Sequence, residues 1–103
     1  MSTDTFSQIK QIINNNIPNV DILLFGSRAR GESVPDSDYD LMIIFHNPIG
    51  NKEKLHFRAL IRKQLALSGI DADVIIEFDK EIETKKTLNG HVVQMAIKEG
   101  VLL

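Results

Sequence analysis

The sequence predicts an α/β domain. Three short runs, "VDILLF" (20–25), "YDLMIIF" (39–45) and "ADVIIEF" (72–78), are apolar, rich in β-branched residues and bounded by turn residues. Around them lie segments with apolar residues at three- and four-residue spacing, the pattern of amphipathic helices. At 103 residues the chain can bury one modest core, and a single domain over 1–103 is expected.

The elements follow in order. Residues 4–16 predict a helix, with Phe6, Ile9, Ile12, Ile13 and Ile17 on one face and Thr3 or Asp4 available as cap. Pro18 ends it. After strand 20–25, Gly26-Ser27 opens "SRARGE", one or two helical turns stopped by Gly31, and "SVPDSD" is turn chemistry. Strand 39–45 leads through "HNPIGN" to the clearest helix, 51–67, whose apolar positions are Leu55, Leu60, Ile61, Leu65 and Leu67. Gly69 stops that helix before strand 72–78. The tail "EIETKKTLNGHVVQMAIKEG" predicts one or two helices, with Val92, Val93, Ala96 and Ile97 as the apolar face, Met95 as packing and Gly100 at the end. The connection from the first strand to the second suits either parallel or antiparallel pairing.

Composition narrows the function. Lys plus Arg is 12 and Asp plus Glu is 14, a net charge of −2, which argues against a general nucleic-acid binder. There is no cysteine, hence no disulfide and no thiolate metal site. The N-terminus lacks the pattern of a signal peptide, and no apolar run approaches the ~20 residues of a membrane span. A cytoplasmic protein is expected. His46, His56 and His91 stand at no metal-ligand spacing. "NKEKLHFRALIRK" is a solvated helix face or, alternatively, a contact for an RNA-binding partner.

The chemistry is concentrated in "LLFGSRARGESVPDSDYDLMIIF" (23–45). Asp38 and Asp40 are two apart, so on entering a strand they share a face, with Cα atoms roughly 6.7 Å apart. Such a pair is costly unless it is solvated or bound to something positive, and a hard cation such as Mg²⁺ suits it. Tyr39 points the other way, into packing. Asp73 stands before "VIIEF" as Asp40 stands before "LMIIF", making it the third candidate ligand, with Asp71 of the same parity in reserve. Three such carboxylates suit two-metal phosphoryl or nucleotidyl transfer. Gly26-Ser27 would let the backbone approach a phosphate, and Arg28 and Arg30 add guanidinium groups suited to it. Taken singly, Gly26-Ser27 reads as a turn, Asp38 as a loop residue and the arginines as solvated charges.

"GSRARGESVPDSDYD" resembles the minimal nucleotidyltransferase (MNT) branch of the DNA polymerase beta-like nucleotidyltransferases, whose signature is Gly-Ser, ten residues, then Asp-x-Asp. Four fixed positions recur by chance in roughly one chain in a thousand of this size. The resemblance implies a small mixed sheet flanked by helices and Mg²⁺-dependent transfer of a nucleoside monophosphate from a triphosphate, with ATP expected. It further implies that Gly26 and Ser27 hold the triphosphate, Asp38 and Asp40 hold the metals, and Asp73 completes the site. Larger members carry an additional acceptor-binding domain; with 103 residues here a separate protein is expected to supply the acceptor, and small MNT proteins are similar to the antitoxins of HEPN–MNT pairs. That similarity implies adenylylation of a tyrosine on a HEPN toxin. A small-molecule nucleotidyltransferase and a non-catalytic binding antitoxin are the alternatives.

Overall fold

The structure, a computed structural model, describes residues 2–31 and 38–103. In chain order they form α1 (Ser2–Asn16), β1 (Val20–Phe25), α2 (Gly26–Arg30), β2 (Tyr39–Phe45), α3 (Asn51–Leu67), β3 (Ala72–Phe78), α4 (Asp79–Lys85), α5 (Val92–Glu99) and β4 (Val101–Leu102). Of the turn expected over 33–38, residues 33–37 lie outside the described residues. Helix α1 begins at Ser2, so Thr3 and Asp4 stand inside its first turn rather than ahead of it.

Strand β2 dictates the layering. Leu41, Met42 and Ile43 are completely buried, so both faces of the sheet must be covered. On one face Ile9, Ile13, Ile61 and Leu65 of α1 and α3 close over Leu24, Leu41, Ile43 and Val74. On the other, Ile82, Val93 and Ala96 of α4 and α5 pack on Phe25, Met42 and Ile44. Each fully buried aliphatic side chain is worth about 1.5–3 kcal/mol, so the larger cluster dominates the driving force.

The sheet order is β3-β2-β1-β4. Strands β1 and β2 are antiparallel, and β2 and β3 are parallel through the α3 crossover, so the sheet is mixed. Strand β4 is absent from the sequence-based expectation, which ends the chain in a helix. It is two residues long and exists through pairing with Leu23 and Leu24, helped by the Leu103 N–H donating to the Ile22 carbonyl at 2.9 Å.

The helical faces are narrower than periodicity predicts. In α5 only Val93 and Ala96 are buried, while Val92, Met95 and Ile97 are exposed. In α3, Leu55 and Leu67 are exposed at 64% and 73%. An eight-residue helix touching a sheet along one line buries an i, i+3 pair and leaves the flanking apolar residues outside. Glu77 is buried but paired with Lys85 Nζ at 2.9 Å, while Lys54 Nζ bonds Glu81 at 2.5 Å, tying α3 and α4 to the far end of β3.

Candidate active site

The site forms where β1 ends and β2 and β3 begin. Register sets Phe25 opposite Asp40 and Asp40 beside Asp73, so the two carboxylates occupy adjacent strands, on the same row and face. Neighbouring strands lie about 4.8 Å apart, within reach of a shared ion. Asp38 stands exposed just ahead of β2. The Asp71 carbonyl accepts the Tyr39 N–H at 3.0 Å, which aligns the starts of the two strands.

Gly26 opens α2 with φ +75°. A Cβ there would overlap the Asp40 carboxylate, so glycine is required both by the left-handed backbone and by the closeness of the acid. Gly26, Ser27 and Arg30 form one wall of a cleft of ≈ 530 Å³, Asp40 and Asp73 line its base, and Val92 and Met95 of α5 supply an apolar side.

The two arginines separate. Residues two apart on a helix point about 200° apart. Arg30 lines the cleft, whereas the Arg28 guanidinium lies 4.3 Å from the centre of the Tyr39 ring. Tyr39 packs edge-on to Phe6, on the sheet face opposite Asp40.

Burial raises the Asp40 pKa above the ordinary carboxylate value, and the charges of Asp73 and Asp38 push it the same way; Arg30 opposes them. This is a carboxylate short of positive charge. Among the described residues, no group of three acidic or histidine side chains is drawn close enough to cage a metal unaided.

Two residues at the cleft escaped the sequence reading. Glu99 Oε1 accepts the Gly26 N–H at 3.2 Å and an Arg30 Nη1 hydrogen at 2.9 Å, so a carboxylate rests on the backbone donor expected to meet a phosphate. An acid in the last turn of a helix opposes the macrodipole, and that oddity was the available signal. Arg58 of α3 lines the cleft beside Asp73, its Nε donating to the Val74 carbonyl at 3.0 Å; on an amphipathic helix it looked like a solvated charge.

The nucleotidyltransferase domain model matches residues 6–102. The chain belongs to this family. This nucleotidyltransferase is 32% identical over 95 residues to a Methanocaldococcus jannaschii protein described as a "putative protein adenylyltransferase", spanning 90% of this chain and 84% of the relative. A second protein of that organism with the same description is 26% identical, over 95% and 96% of the two chains. Among solved structures, a toxin–antitoxin complex with AMP-PNP aligns at TM-score 0.64 and 20% identity, over 93% of this chain and 69% of the other. A complex of a tri-AMPylated Shewanella oneidensis HEPN toxin with its MNT antitoxin aligns at 0.62 and 17%, over 99% and 71%. These likenesses show that the mixed sheet with its helices is the nucleotidyltransferase fold.

Proposed function

We propose that this nucleotidyltransferase uses Mg²⁺ to move AMP from ATP onto a tyrosine of a HEPN-type partner protein, which it thereby restrains as an antitoxin. The observation that carries the reading is the row Asp40–Asp73 at the foot of a cleft whose wall is Gly26, Ser27 and Arg30. The donor set fits the metal: Asp38, Asp40 and Asp73 offer only oxygens, and Mg²⁺ binds through one or two carboxylates together with substrate phosphates. When bound, Mg²⁺ (two ions in this scheme) neutralises charge developing on the phosphates and leaving group.

The residues then divide the work. Ser27 and the backbone N–H of Gly26 hold the triphosphate, assisted by Arg30, and the wall of Val92 and Met95 gives a planar base an apolar surface. Asp73 accepts the proton of the acceptor hydroxyl. The acceptor oxygen bonds to the α-phosphorus as the α–β phosphoanhydride bond breaks, and pyrophosphate leaves on the side of Gly26 and Ser27. Among the described residues no helix is long and apolar enough to cross a membrane.

The test is incubation with labelled ATP, Mg²⁺ and the protein encoded beside it. The partner should gain the mass of one AMP per modified tyrosine. Asp38→Asn should remove the label while keeping a wild-type melting transition; equal labelling by that variant would overturn the assignment. Neutralisation of the partner without transfer would favour the binding antitoxin, and label on an added hydroxylated small molecule would favour the small-molecule enzyme.

Glu99 has its own consequence. A triphosphate must take the Gly26 N–H and Arg30 from it. Glu99→Gln keeps the side-chain shape and removes one negative charge, so Mg²⁺–ATP should bind about three- to tenfold tighter, on the order of 1 kcal/mol after screening. Calorimetric titration of both proteins measures this directly.

A further inference from the structure

The outer edge of β3 is placed to receive a polypeptide. Strand β3 is the end member of the sheet, bonded on one side to β2. Asp71 turns its carbonyl inward to Tyr39, whereas the Val74 carbonyl receives Arg58 Nε and the Phe78 N–H donates to Glu81 Oε1. Alternation therefore directs the backbone groups of Ala72, Val74, Ile76 and Phe78 away from β2. Beside this edge runs a groove of ≈ 360 Å³, walled by Leu55 and Arg58 and floored by Val74, Ile75 and Ile76. Arg58, Val74 and Ile75 also line the catalytic cleft, so the groove opens into it.

Position across the sheet gives the groove a use. Gly26 and Ser27 stand at the end of β1, Asp40 on β2, Asp73 on β3, and the open edge lies beyond. In-line displacement brings the attacking oxygen from the side opposite the leaving pyrophosphate. With pyrophosphate held by Gly26 and Ser27, that side is the β3 edge.

We propose that the segment of the partner protein carrying the acceptor hydroxyl docks as an extended strand along the edge of β3, setting an apolar side chain against Leu55 and delivering the hydroxyl to Asp73. The proposal rests on the protein-acceptor reading above. Main-chain bonds to the outward groups of Val74 and Ile76 supply register, and the apolar wall at Leu55 supplies selectivity. In the free protein Arg58 covers the Val74 carbonyl, a cationic guard of the kind that keeps exposed edges from pairing indiscriminately. Docking replaces that bond with one from the incoming backbone and frees the guanidinium to grip the segment.

Two measurements on the full chain and the unmodified partner test this. Amide exchange should slow at least about tenfold at Val74 and Ile76 on complex formation, while Asp73 and Ile75, already turned toward β2, stay slow throughout. Leu55→Glu, at a position 64% exposed, should raise the KM for the partner about tenfold and leave ATP affinity unchanged. If the wild-type enzyme labels the partner but the Val74 and Ile76 amides do not respond and Leu55→Glu keeps the wild-type KM, the docking proposal fails and the protein-acceptor reading stands. If the wild-type enzyme does not label the partner, both fail. Slow Val74 and Ile76 amides in the free chain, with a doubled mass in sedimentation, would assign the edge to a second copy and also overturn it.

Discussion

Asp40→Asn should yield a protein that transfers no measurable AMP yet melts above the wild type when metal is absent. Both effects have one cause. Asp40 is partly buried beside Asp73 and feels Asp38 and Glu99, and its pKa is raised, first by burial and then by those neighbours. A raised carboxyl pKa means that the ionised form burdens the folded state. The stability tied to its protonation is fully present below the unfolded value of 3.8 and is lost as pH rises through the higher folded value. At neutral pH wild-type Asp40 is therefore a liability, which asparagine removes with little change in shape. The melting-temperature gap should be widest near neutrality and should shrink as pH falls through the raised value, where Asp40 is itself neutral. Mg²⁺ with ATP should close it from the other side, stabilising the wild type and not the variant. If Asp40 holds Mg²⁺ as proposed, its loss should lower turnover by at least about a thousandfold, a barrier increase of ~4 kcal/mol. Scanning calorimetry at several pH values, with and without Mg²⁺–ATP, checks the stability arm, and label transfer checks the other. A variant both inactive and less stable at neutral pH would show that Asp40 is a structural residue.

That trade-off is what marks Asp38 and Asp40 in the sequence as candidate site residues. Two aspartates abutting an apolar strand break the local rule that core strands carry apolar residues, and rule-breaking of this kind concentrates at functional sites. Position points from Asp40 to Asp73, since each stands immediately before an apolar run, "LMIIF" and "VIIEF", and parity adds Asp71 as the reserve because side chains two apart share a face wherever a strand forms. What parity could not supply was register: that Asp73 stands beside Asp40, and not Asp71, depends on how β2 and β3 align. The Arg28–Arg30 pair exposes a second limit. Adjacent in composition, they are separated by helical rotation, one going to the cleft and the other to Tyr39. Glu99 and Arg58 are remote in sequence from the motif and reach the cleft only through the packing of α5 and α3; the acid in the last turn of α5 is the one local sign of Glu99, and Arg58 has none. Strand β4 belongs to the same class, since two residues carry too little pattern to be told from a frayed helix end until β1 offers an edge.

Gly26→Ala should be nearly as damaging to activity, by a route that a second glycine can isolate. At φ +75° a left-handed backbone costs an alanine about 1–2 kcal/mol. Its methyl group would also overlap the Asp40 carboxylate, which must swing away from Asp73 to make room. Displacing a group of the reacting centre by about 1 Å costs roughly a hundredfold in rate. Gly31 has nearly the same φ, +72°, but among the described residues nothing stands within 4 Å of a Cβ built there. Gly31→Ala therefore carries the backbone strain without the collision. Both variants should lose about 1–2 kcal/mol in denaturant unfolding, and only Gly26→Ala should lose AMP transfer. The collision predicts one further result. In Gly26→Ala the displaced carboxylate is moved off Asp73, so the stabilising effect of Asp40→Asn should be much smaller in that background than in the wild type, a coupling that a double-mutant cycle reads. Equal losses of transfer in both alanine variants would instead make backbone strain in and after α2 sufficient to disable the site, and would dismiss the close approach of Gly26 to Asp40 as its cause.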